Sequence, residues 1–290
     1  MRMLKDNFDI HFSFSQKEIE MMKGDDKDDY NAWIKKIYAL SLDPTWDDKP
    51  SPTPDLSDWN NLTAVYCVDN ISLDMGLLVA HVGEELKTLS SLLFDDNQYT
   101  VDIFDEIKCW GDLASHISPS TDIIIVDQYV FSSRELCVSN IYTILRELCK
   151  PTCSEINIVF FTLKADPYNG VMPDWDDIYT KIRNSCTKKH CPRPNVTFIK
   201  VNKDVLKEHD RTIFTNYLVF SSGDTFNYFN SSGQKITTGR YLYKNSIAAK
   251  RNEKKAQGFI DDMQALINGI KGKNNYDLII KDKKSHLLKF

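Results

Sequence analysis

The chain has 290 residues, 42% of them hydrophobic and 27% charged, the balance of a globular protein with enough length for one large domain or two small ones. Its longest apolar runs, such as Ile123-Ile124-Ile125-Val126, fall far short of the roughly 20 residues that span a bilayer. The opening MRMLKDNFDIHFSF lacks the apolar stretch of a signal peptide, so the expected location is cytoplasmic, with no transmembrane segment.

The net charge of −5 conceals an asymmetry. Residues 1–180 carry 14 Lys and Arg against 32 Asp and Glu, a balance of −18, while residues 181–290 carry 22 against 9, a balance of +13. Two readings follow: an anion-binding face on the basic part, or two parts that attract one another inside one folded body. The seven cysteines (67, 109, 137, 149, 153, 186 and 191) are odd in number and lack CxxC spacing, which predicts reduced, mostly buried thiols rather than a zinc site. No metal and no cofactor are expected.

Taken in chain order, residues 8–14 alternate apolar and polar as a half-buried strand does. Residues 17–40 read as an amphipathic helix broken by the charge run at 24–29, and the four prolines within 43–58 mark a tether. The expected organisation is therefore an acidic N-terminal segment over 1–61 and an α/β domain over 62–290. Strand 64–68 opens that domain. Leucines and Val82 at helical spacing predict a helix over 73–93, followed by a strand at 99–104. Strands at 122–127, 156–162 and 196–201 alternate with helices at 133–149 and 173–185. This βαβ rhythm predicts a largely parallel or mixed sheet flanked by helices. Further strands are expected over 213–220, 234–243 and 277–280, with a helix over 256–270 and a solvated basic run at 281–284.

Parallel strands present functional groups at their carboxyl ends. Two such ends stand out, Asp127-Gln128-Tyr129 and His209-Asp210-Arg211, and a shared cleft would join them. His209 suits attack on phosphorus or proton transfer near neutral pH. Arg211 would fork onto phosphate oxygens, Asn216 would add a neutral donor, and Gly223 would let main chain approach a ligand. The competing reading of His209-Asp210-Arg211 is a structural ion pair. Lys235, Arg240, Lys244, Lys250 and Arg251, interleaved with Tyr241 and Tyr243, form a candidate nucleic-acid surface, the alternative being a solvated face. Asp174, Asp176 and Asp177 stabilise the start of a helix more simply than they bind a metal.

His209-Asp210-Arg211, with Ile213, Asn216, Gly223, Phe226 and Phe229, resembles the phospholipase D-like domain found at the C-terminus of MIT-domain proteins and as stand-alone bacterial domains. The match covers mainly residues 196–245. The resemblance implies a phospholipase D-like α/β fold and a phosphate-bearing ligand. It departs from the enzymes of that family in carrying His-x-Arg once, where they carry His-x-Lys twice per active site. Three functions follow from it. The first is a phosphate-recognising, nucleic-acid-binding module in a bacterial or phage-related assembly such as antiviral defence, with a protein partner or homodimer. The second is a phosphodiesterase or nuclease with His209 as nucleophile in a dimer, assisted by Arg211 and Asn216. The third is a peripheral module on anionic membranes.

Overall fold

The computed structural model describes residues 8–12, 63–67, 78–80, 100–117, 120–150, 155–165, 172–187, 193–202, 206, 211–236, 240–246 and 250–290. Strands β1 (Phe8–Phe12), β2 (Thr63–Cys67) and β3 (Leu78–Ala80) pair in parallel as a three-stranded sheet, Phe8 opposite Thr63 and Val65 opposite Leu78. The pairing of β1 with β2 runs across the division expected at 61/62. Residues 78–80 were expected in a helix and are instead a strand, because pairing with Val65–Cys67 outweighs the helical spacing of the apolar residues over 73–93. The remainder of the expected helices at 17–40 and 73–93 lies outside the described residues.

A second, eight-stranded sheet organises the rest. Its strands are β4 (Val101–Asp102), β5 (Asp122–Val126), β6 (Asn157–Leu163), β7 (Asn195–Val201), β8 (Arg211–Thr215), β9 (Leu218–Ser222), β10 (Leu242–Ser246) and β11 (Ile279–Lys281). They lie in the order β11-β7-β6-β5-β8-β9-β10-β4. Pairs β5–β6 and β6–β7 are parallel and every other pair is antiparallel, so the sheet is mixed.

The run Asp-Ile-Ile-Ile-Val of β5 has no polar face because both of its faces are covered. Ile123 and Ile125 join one cluster with Phe160 and Phe198 beneath helices α1 (Arg134–Ser139), α2 (Ile141–Cys149) and α3 (Trp175–Cys186). Ile124 and Val126 join another with Val159, Ile199 and Phe214 beneath α4 (Lys250–Gly272), which contributes Ile260, Met263 and Ile267. The result is a helix–sheet–helix sandwich, mixed α/β as the rhythm of the sequence implied, with four α-helices among the described residues.

Several boundaries differ from expectation for identifiable reasons. The single helix expected over 133–149 is broken at Asn140, whose buried side chain is claimed by distant groups. The strand expected over 213–220 is a hairpin, with Thr215 Oγ accepting from the N–H groups of Tyr217 and Leu218 at the turn. The strand expected at 277–280 begins two residues later, after a 3-10 turn over Tyr276–Leu278. The expected role of Asp174 is met: it caps α3 by accepting from the N–H of Asp177, with Asp176 and Asp177 in the first turn.

Candidate functional site

Register decides which side chains share an edge of the sheet. Val126 at the end of β5 lies opposite Thr212, and Arg211 lies opposite Ser222. The carboxyl end of β5, the start of β8 and the end of β9 therefore meet at one edge. Asp127 and Arg211, 84 positions apart, meet there, but Arg211 reaches this edge as the first residue of antiparallel β8 and not as the carboxyl end of the strand before it.

Asp127 is buried and joins two loops. One carboxylate oxygen accepts from the N–H of Tyr129 at 2.9 Å; the other accepts from Thr225 Oγ1 at 2.8 Å and from the N–H of Phe226 at 3.0 Å. Burial pushes its carboxyl above the usual range, while those donors and the nearby Arg211 cation pull it down without cancelling the effect. The Arg211 guanidinium lies 5.6 Å from the centre of the Tyr129 ring, so Asp127 faces it on one side and an aromatic face on another. Beside them, Gln128 donates its amide to the Leu206 carbonyl.

Two cations at this edge were missed in the sequence. Lys200 sits near the end of β7 opposite Thr162 of β6, and Lys164 follows β6, its N–H bonded to the carbonyl of Val201 at 3.0 Å. Lys164 is exposed and Lys200 half-buried. Burial and then the like charge of Lys164 lower the Lys200 amine, partly offset by Asp277. Neither lysine lies in a motif, so only their positions at the ends of β6 and β7 in a parallel set could have flagged them.

The other expected residues are distributed differently. His209, Asp210 and Lys207 lie outside the described residues. Asn216 sits at the far end of β8, about 17 Å from Arg211 at the usual rise per strand residue, so the expected grouping of the two is corrected. Its Oδ1 accepts from the N–H groups of Thr121 and Asp122, which fixes the entry of β5. Gly223 gives room not to a ligand but to Tyr241: a Cβ there would come within 2.7 Å of the Tyr241 hydroxyl.

The expected basic surface is largely engaged within the fold. Lys235 donates to the Phe104 carbonyl with its amine 3.5 Å above the Phe104 ring. Arg240 pairs with Asp224 at 2.7 Å. Lys244 is half-buried, its amine lowered by burial, with Glu106 the nearby acid. Lys250 and Arg251 begin α4, and their side chains lie outside the described residues.

Among the described residues no group of three or more His, Cys, Asp or Glu converges as a metal site, and no helix is long and apolar enough to cross a membrane. Cys137, Cys149 and Cys186 are buried free thiols and Cys109 is an exposed one. Burial pushes the Cys137 thiol up to about 12, which leaves it un-ionised and a poor nucleophile at neutral pH. No family model and no curated protein matches the chain.

Proposed function

We propose that the chain is a phosphate-recognising module of phospholipase D-like type that binds nucleic acid along the carboxyl ends of β5, β6 and β7. The observation that carries this reading is the row of cations at that edge: Arg211, set by Asp127 and Tyr129, with Lys164 and Lys200 two and three strands away. Strands lie about 4.8 Å apart, so the three charges span roughly 14 Å, a spacing that suits successive backbone phosphates better than one small ion. A guanidinium beside the half-buried Tyr129 ring also suits a strand whose bases stack. By contrast Lys235 and Arg240 are held by groups of the chain itself, which moves the binding face from residues 235–251 to the strand ends.

The test is fluorescence anisotropy with labelled single-stranded DNA and RNA. Lys164→Glu and Arg211→Ala should each weaken binding by about tenfold, roughly the effect of one lost phosphate contact at low salt, and Lys235→Ala should leave it unchanged. Folded wild-type protein that binds neither polymer in about 50 mM salt would overturn the reading. Cleavage of either probe, lost in His209→Ala while binding is kept, would replace it with the nuclease reading; vesicles rich in anionic lipid serve as the competing ligand.

A further inference from the structure

The edge of the sheet opposite Arg211 holds a second buried carboxylate. Asp122, at the start of β5, is fully buried. One of its oxygens accepts from Ser285 Oγ at 2.7 Å and from the N–H of His286 at 2.9 Å; the other meets His286 Nδ1 at 2.8 Å. All three donors belong to residues 282–290, the segment that follows β11. That segment is laid across the sheet edge by further bonds. Asp282 accepts from the N–H of Val196 and from the Tyr179 hydroxyl, and Gln264 of α4 exchanges two hydrogen bonds with the backbone of Lys289. Ser285 Oγ also accepts from the N–H groups of Leu287 and Leu288, folding the chain so that both leucines enter the core under α4.

We propose that residues 282–290 form a pH-gated strap, docked through the Asp122–His286 pair and loosened as the imidazole loses its proton. The charged groups around the ring are Asp122 from β5, Glu155 ahead of β6 and Lys284 of the strap; Asn157 adds a neutral contact, its Nδ2 3.3 Å from the imidazole. The imidazole side chain is 40% exposed, so solvent reaches it while its Nδ1 stays on the buried carboxylate. The hydrogen bond to Asp122 raises the imidazole above its ordinary range, and burial lowers it less. A raised histidine adds its docking energy in full below the unfolded value, about 6.5, and loses it as pH rises through the folded value. The strap is therefore closed in mildly acidic solution and weakened in alkaline solution.

Hydrogen–deuterium exchange on the whole chain, corrected for intrinsic rates, tests this at about pH 6 and about pH 8.5, either side of the ordinary histidine value. Protection of residues 285–288 should fall by about tenfold for each unit by which docking raises the imidazole, while the buried strand β6 keeps its protection. His286→Gln, which retains a donor for Asp122 but does not titrate, should flatten the dependence; Asp122→Asn should weaken docking at both values. Equal protection of 285–288 at both pH values in wild type, a His286→Gln chain with the wild-type dependence, or loss of β6 protection in step with the strap would each overturn the proposal.

Discussion

Asp127 illustrates how one buried carboxylate sets a local geometry at a measurable cost. Its two oxygens take three donors from two loops, so a single side chain positions Tyr129, Thr225 and Phe226 beside Arg211. An asparagine can serve one of those oxygens but must turn its NH2 toward an N–H at the other. Asp127→Asn should therefore cost about 1–3 kcal/mol, the usual penalty for orphaning a buried backbone donor. The sign of its pH dependence follows from the raised carboxyl. The folded protein keeps this proton to higher pH than the unfolded chain does, so the group's contribution falls as pH rises from about 3.9 through the folded value. The stability difference between wild type and Asp127→Asn should be largest in acid and shrink toward neutrality, as urea unfolding across that range would show. A difference independent of pH would mean that the carboxyl is not displaced.

At the scale of elements, Asn140 separates α1 from α2 and shows why some boundaries could not be read. Its Oδ1 accepts from Trp110 Nε1 and from the N–H of Phe229, each at 2.9 Å, and its Nδ2 donates to the carbonyls of Leu136 and Phe229. The amide is saturated, and it ties the 3-10 helix over Trp110–His116, the helix junction and the β-bridge residue Phe229 together. Asn140→Ala should cost about 3 kcal/mol, because several buried groups lose their partner at once, and thermal unfolding would report it. Little local marks this residue: apart from the Leu136 carbonyl, its partners lie 30 and 89 positions away. The β-branched run of β5, by contrast, was legible, since burial on both faces leaves a local trace. Asn216 was misplaced for a related reason. It stands five residues from Arg211 in sequence, yet an extended strand converts five residues into the full depth of the sheet. Asp127 and Arg211 are far apart in sequence and adjacent in space, because the register of β5 with β8 brings them together.

For the whole molecule, the opposed charges of the two parts are matched internally at several points. Lys281 pairs with Asp176, Lys284 with Glu155 at 3.4 Å, and His286 with Asp122, each a base from the later part with an acid from the earlier one. Lys244 and Lys235 likewise lie near Glu106 and Asp105. These cations serve the fold, whereas the proposed binding face rests on the row at the strand ends. Salt separates the two uses. Exposed pairs such as Lys284–Glu155 contribute roughly 0–1 kcal/mol each, so raising salt from about 50 to about 200 mM should shift unfolding free energy by no more than about 1 kcal/mol. Three phosphate contacts to single-stranded nucleic acid give a log–log slope near −2, which over the same interval is roughly a 20-fold loss of affinity. Parallel titrations of stability and binding should therefore diverge. Affinity that ignores salt while stability collapses would assign the cations to the fold alone and remove the strand-end row as a binding face.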